Sequence, residues 1–392
     1  MNKSIFITLF FALFAAVTGV GIVVPLLPVY ADQLGASGFF IGLIFGAFSL
    51  SRTACLPAFG KWSDKSGRKP FLVAGLFLYA VASMGFMAAD GVAALVLVRF
   101  FQGAASAMIV PVAQAYVGEI TPMGKEGLSM GLFNISMFAS LSLGPLLGGV
   151  VRDQWGIQAA FSAMLVLSLF SCGLCLALLP PVKKEPRMEL TRPPLSYRVL
   201  LENRCIVGLT AFRTAYTTCV GVVWSFLPVY AAHRFQLSSS QVGVLIMMGV
   251  LVAGMLQTPM GWVADRADKR LLVAAGGVCV LASVLLFLPA GGFWGLFRAN
   301  TLFGVGGGVS TPALMALTVQ EGKKTQSMGS VMAILTMGHS LGMLVGSMAA
   351  GAVADIFSLS SIFYVGAAAM AGGIWLFWAM SKTPAGRASG TG

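Results

Sequence analysis

Twelve stretches of this chain are each long and apolar enough to cross a hydrocarbon layer, and that repetition limits the fold more than any single motif does. A bilayer core takes about 20 apolar residues as helix. Backbone in lipid must satisfy its own hydrogen bonds, which leaves only helices or closed barrels. The runs lie at 5–31, 39–59, 71–89, 92–118, 127–151, 157–181, 206–231, 241–260, 271–290, 292–319, 328–353 and 359–381. Only 10% of the 392 residues are charged, against roughly 25% in soluble chains, so a water-facing surface cannot be assembled. The expected class is an all-α integral membrane protein. The first run follows Lys3 but outlasts a signal-peptide core and ends in Pro25-Leu-Leu-Pro28, so it reads as a retained helix.

The net charge of +12 is a matter of topology rather than of nucleic-acid binding. With both termini cytoplasmic, 19 of the 25 Lys and Arg fall on the cytoplasmic side, two (Arg152 and Arg234) on the other, and four within spans. That bias follows the positive-inside rule and implies a multi-pass protein of a bacterial-type cytoplasmic (inner) membrane. The lipid bilayer is thus one partner, through its anionic headgroups. Cys172 and Cys175 lie inside an apolar run and read as packing residues. No metal-ligand cluster, cofactor motif or nucleophile–base pair stands out; no metal, cofactor or enzymatic activity is expected.

The halves repeat. Pro28-Val-Tyr30 recurs as Pro228-Val-Tyr230; Gly42, Gly60, Asp64, Gly103 and Pro111 recur about 201 residues on as Gly243, Gly261, Asp265, Gly304 and Pro312. At an offset of 198, Gly144 and Gly148 match Gly342 and Gly346. The expected organisation is a six-helix bundle at 1–181, a charged, proline-bearing cytoplasmic linker at 182–205, a second bundle at 206–381 and a cytoplasmic tail at 382–392. A surface helix over 195–204 is the alternative for part of the linker. A parallel six-span repeat suits transporters that rock two bundles about a central site.

Several motifs carry a resemblance. Gly60-Lys-Trp-Ser-Asp64-Lys-Ser-Gly67-Arg68-Lys69 resembles the loop between spans two and three of the major facilitator superfamily, with a degenerate copy at Gly261-Trp-Val-Ala-Asp265-Arg-Ala-Asp-Lys-Arg270. Arg99-Phe-Phe-Gln102-Gly103 resembles that family's fourth-span motif. Gly131-x8-Ser140-x3-Gly144-Pro145-x2-Gly148-Gly149 resembles the fifth-span motif of its exporters, with Ser140 in place of a glycine. Gly19-x5-Pro25-x2-Pro28 is similar to the first-span motif of the twelve-span drug:proton antiporter branch. The resemblance implies two pseudo-symmetric six-helix bundles. It also implies a cytoplasmic gate of Gly60, Asp64, Gly67, Arg68, Glu119, Asp265 and Arg270, with Arg68 paired to Glu119. Gly144, Pro145, Gly148 and Gly149 would form a sealing and bending strip.

Ionisable groups inside spans are costly and by default mark function. Here they are Arg52, Arg99, Arg213, Arg298 and His339, with no Asp or Glu among them; Asp32, Glu119 and Asp153 lie at span ends. In the resembling family spans one, four, seven and ten line a cavity, which makes Arg99, Arg213 and Arg298 candidate wall residues. Gln102 stands one turn from Arg99, Asn300 neighbours Arg298, and Tyr216 and Trp224 share a helical face with Arg213. Arg52 and Arg298 read equally as groups snorkelling to an interface. His339, whose imidazole ordinarily titrates near neutrality, is either a packing residue or a proton carrier. The expected function is secondary transport by alternating access, as proton-coupled efflux of amphipathic small molecules. Arginines without acids favour neutral or anionic cargo over cations. An organic-anion importer or exchanger independent of protons is the alternative.

Overall fold

The computed structural model describes residues 3–122, 126–180 and 197–381, and every regular element among them is helical. The first span is Lys3–Val23 continued by Leu27–Gln33; the second is Gly38–Ser66, the third Arg68–Met87, the fourth Val92–Ile120, the fifth Glu126–Trp155 and the sixth Ile157–Leu178. The seventh is Arg204–Phe235, the eighth Ser239–Arg266, the ninth Lys269–Leu286, the tenth Phe293–Lys324, the eleventh Met328–Ile356, and the twelfth Ile362–Ser381 behind a 3-10 turn at Leu359–Ser361. All twelve are long and apolar enough to cross a membrane.

Three boundaries differ from expectation. The first span is two helices, because Pro25 offers no N–H to the Gly21 carbonyl and Pro28 none to that of Val24. The expected loop at 60–70 is a one-residue turn: helix runs through Ser66 and resumes at Arg68, with Gly67 between them at φ +92°. Helices also continue past the apolar runs, to Ile120, Arg266 and Lys324, since extending an existing helix costs little even where its surface turns polar. Residues 181–196, which include most of the expected linker at 182–205, and the tail at 382–392 lie outside the described residues. The rest of the linker holds a short helix, Tyr197–Glu202, whose Leu200 packs with Ile206, Val331 and Ile334. Asn203 then starts the seventh span, its Oδ1 accepting from the Cys205 N–H at 2.9 Å.

Within the first half, span one packs on five and six, span four on two and three, and span three on six; the second half repeats this with seven on eleven and twelve, ten on eight and nine, and nine on twelve. The halves meet chiefly through two helix pairs, second with eleventh and fifth with eighth. The repeat relates these pairs to each other, and each is drawn close by a glycine. A side chain at Gly42 would collide with the Ser347 carbonyl, and one at Gly243 with the Pro145 carbonyl. Small residues permit such approach where lipid gives no hydrophobic reward for association.

Next to these contacts lies a matched pair of carboxylates, at the end of the molecule opposite the basic loops (here, the far end). Asp355, ending the eleventh span, accepts hydrogen bonds from the Gly38 and Phe39 N–H groups at 2.6 and 2.8 Å. Asp153, ending the fifth, accepts from the Ser239 and Ser240 N–H groups at 3.1 and 2.7 Å and from Ser240 Oγ at 2.6 Å. Each thus caps the N-terminus of a helix in the other half, where the peptide dipoles favour negative charge. Asp32 and His233, from the first and seventh spans, add a 2.7 Å contact. The far end is therefore closed.

The cross-half contacts also correct the repeat. Pro145, Gly149 and Asp153 stand where Ser347, Gly351 and Asp355 stand. The offset between the fifth and eleventh spans is thus 202, one helical turn from the 198 that the glycines suggest.

Converting Asp153 and Asp355 together to Asn removes two charge–dipole contacts worth about 0.3–1 kcal/mol each. We expect about 3- to 30-fold greater labelling, from the far side, of a cysteine placed by Val24→Cys in a cysteine-free background, read with an impermeant maleimide.

Candidate functional site

Where the halves separate below that seal they enclose a cavity of about 380 Å³. Its walls are mainly apolar: Val17 and Val24 of the first span, Phe45 and Phe48 of the second, Met137 and Phe138 of the fifth, and Trp224 and Phe303 opposite. Proline places backbone there as well, since Gly21, Val24 and Pro25 at the break in the first span line it.

The polar wall centres on three cationic or basic groups. Arg52 comes from the second span, Arg213 from the seventh and His339 from the eleventh, so the first half supplies one and the second half two. Arg52 reaches the cavity because Phe45, Phe48, Ser49 and Arg52 share one helical face. Arg213 and Tyr216 sit one turn apart on the seventh span, and Tyr216 is held by stacking on Phe303 at 5.9 Å. Neither the Arg52 nor the Arg213 guanidinium has a hydrogen-bond or ion-pair partner among the described residues, and His339 Nδ1 is buried without one. No carboxylate is among the described lining residues. Glu119 and Glu321, acids of the fourth and tenth spans, lie toward the basic end and pair with Arg68 and Lys324.

Arg99 is placed differently. It borders the cavity but is only 3% exposed, with Nη1 donating to Gln102 Oε1 at 2.8 Å and Nε to the Ile44 carbonyl at 3.4 Å. Its guanidinium lies 4.5 Å from the Phe48 ring and 5.1 Å from that of Phe45. Gln102 is fully buried behind it and does not line the cavity. Asn300 lines the wall, its side-chain amide committed to the Leu245 carbonyl. Arg298 is not brought to the cavity: it is exposed, folded back with Nε donating to the Trp294 carbonyl. Arg213, Tyr216, Trp224 and His339 are brought together, and Arg52 joins them.

The gate motif is assembled mainly around Arg68. That side chain is buried, with Nε donating to Glu119 Oε1 at 2.9 Å, Nη1 to Ser63 Oγ at 2.7 Å, and Nη2 paired with Asp64. Gly67 makes the turn, whereas Gly60 lies inside the helix and a side chain there would meet open space. The second copy is built otherwise. Asp265 and Gly261 lie within the eighth helix, Arg270 lies in the ninth, and Asp268 caps that helix by accepting from the Arg270 N–H at 2.8 Å. In the fifth-span strip Gly144 and Gly148 pack on Gly21 and Ile22 of the same half, whereas Gly149 packs on Ser239 across the interface, beside Pro145. Ser140 keeps its hydroxyl satisfied by donating to the Ser136 and Phe14 carbonyls.

This architecture of two bundles about one cavity is that of a carrier. The chain matches the Major Facilitator Superfamily over residues 9–231 and again over 214–392, and it belongs to that family of transporters. It is 27% identical over 368 residues to an uncharacterized MFS-type transporter of Methanocaldococcus jannaschii, covering 93% of this chain and 94% of that one. It is 25% identical over 387 residues to the quinolone resistance protein NorA of Staphylococcus aureus, covering 95% of each. Among solved structures, the nucleoside transporter NupG superposes with a TM-score of 0.81 at 13% identity, covering 98% of this chain and 100% of that one. The human organic anion transporter MFSD10 superposes with a TM-score of 0.68 at 19% identity, covering 96% and 99%. At these identities the structures establish the fold alone.

Gly67→Ala forces a side chain into a backbone region that essentially only glycine adopts. A loss of about 1–3 kcal/mol is expected, seen as a lower melting temperature of the detergent-extracted protein.

Proposed function

We propose that this transporter moves amphipathic organic anions by alternating access, the two halves exposing the cavity in turn to either side of a cytoplasmic membrane. One observation carries the reading: Arg52 and Arg213 face the same apolar cavity from opposite halves, unpaired and with no acid on the described wall. A guanidinium keeps its charge in proteins, and its planar fork suits carboxylates, sulfonates and phosphates. The aromatic and aliphatic lining supplies the site for an apolar body, while Trp224 and Tyr216 add a flat surface beside Arg213. The positive-inside bias puts the basic end in the cytoplasm, so the closed far end would face outward.

A second reading, proton-driven efflux of drug-like molecules, is favoured by the full-length likeness to a quinolone resistance protein. It needs a proton site that cargo displaces, and His339 is the imidazole available on the cavity wall.

The test uses purified protein in proteoliposomes, with 1-naphthalenesulfonate and 1-naphthylmethylammonium as probes. The sulfonate is expected to be carried and the ammonium not. A hydrogen bond to a charged group is worth about 1.5–3 kcal/mol, so Arg52→Gln or Arg213→Gln should raise the KM for the sulfonate on the order of 10- to 100-fold. Transport of the ammonium in preference to the sulfonate, unchanged by either substitution, would overturn the proposal.

A further inference from the structure

We infer that a proton and an organic anion occupy the cavity together, the proton on His339, so that both cross the membrane in the same direction. This rests on the anionic-cargo reading above and adds the sign of the coupling.

His339 shares the cavity wall with charged and titratable groups from four other spans. Arg52 comes from the second span, Tyr79 from the third, Arg99 from the fourth, and Arg213 and Tyr216 from the seventh. The tenth span contributes the uncharged Asn300 and Thr311, and no lining residue comes from the twelfth. Arg52 and Arg213 both lie within electrostatic reach of the imidazole. Span eleven is held against span seven here, because Gly338 leaves room only for Thr210 and Thr214. His339 therefore cannot easily retreat from Arg213.

A proton arriving in the empty cavity adds a further positive charge to a wall that already carries uncompensated ones. An anion arriving in the unprotonated cavity meets the arginines but no third positive charge, since the neutral imidazole, whose Nδ1 is buried, offers the cavity at most Nε2. Together the two suit each other: the anion screens the imidazolium from the guanidiniums, and the imidazolium N–H donates to the anion. Linkage makes this reciprocal, since whatever the anion does for proton binding the proton does for anion binding. An exchanger of cargo for protons needs the opposite relation, in which one displaces the other. That relation arises where a carboxylate serves a cation and a proton in turn, and the described wall has no carboxylate. The proton comes from water on the entry side, rides on the ring and returns to water on the exit side. Only an N–H bond forms and breaks. One proton with one negative charge also makes the step electrically neutral, so the membrane potential does not oppose the cargo.

The experiment is calorimetric titration of the purified full-length protein with 1-naphthalenesulfonate in two buffers of different ionisation enthalpy, from pH 5.5 to 7.5. The sulfonate stays ionised throughout, so any proton taken up belongs to the protein. We expect uptake approaching one proton per sulfonate, and an affinity that rises as pH falls with a limiting slope of about tenfold per unit. The uncharged 1-naphthalenemethanol should bind with no uptake. His339→Gln and His339→Asn should both bind the sulfonate with the pH dependence lost. In proteoliposomes the sulfonate should accumulate toward the alkaline side of an imposed gradient. Proton release on binding, uptake that persists in both His339 variants, or accumulation toward the acidic side overturns the inference while leaving the anion reading intact. If neither variant folds, the wild-type buffer pair and the direction of accumulation decide. No sulfonate binding at any pH overturns both.

Discussion

Two guanidiniums held across one cavity, with no acid on its described wall, set the terms for the rest of this molecule. Arginine does not discharge itself by losing a proton, and charge within a membrane span is expensive. Such groups persist only where water or a ligand reaches them. The wall answers Arg99 with a glutamine, a carbonyl and two aromatic rings. It leaves Arg52 and Arg213 open to whatever enters. That difference sets Arg52 and Arg213, rather than Arg99, apart as candidate site residues.

Much of the fold was legible from periodicity and charge. Twelve apolar runs, a loop bias of basic residues and a half-length repeat lead to the observed helices with modest errors at their ends. The errors have local causes. Pro25 and Pro28 interrupt a continuous apolar run without making it less apolar, so hydropathy cannot see the break in the first span. At 60–70 a charged sequence looks like a loop, yet helix continues through it, because Gly67 alone supplies the backbone angle that turns the chain.

The site was less legible. Arg213, Tyr216 and Trp224 share the cavity face that their spacing implies and His339 meets them from another helix, while Gln102, one turn from Arg99, and Arg298, on a span expected to line the cavity, do not line it. The spacing of residues along one helix gives a face but not what that face opposes. Arg52 shows the converse. Its shared face with Phe45, Phe48 and Ser49 was present in the sequence, but nothing in one helix says that this face opens on a cavity shared with the seventh and eleventh spans. Asp355 escaped notice for another reason. Aligning the glycines of the fifth and eleventh spans one turn out of register hid its equivalence to Asp153, which only the cross-half contacts restore.

That equivalence bears on how tightly such a carrier holds back ions while it changes shape. The two caps flank the mouth of the cavity from opposite sides, each joining a different pair of helices. If thermal motion frees one, the other still holds its own pair of helices together. Parting the halves at that end requires both to let go together, along with the Asp32–His233 contact. Duplicating a weak fastening across the pseudo-twofold axis thus adds two marginal contacts to the work of parting the halves, whether by a leak or by the concerted swing of transport.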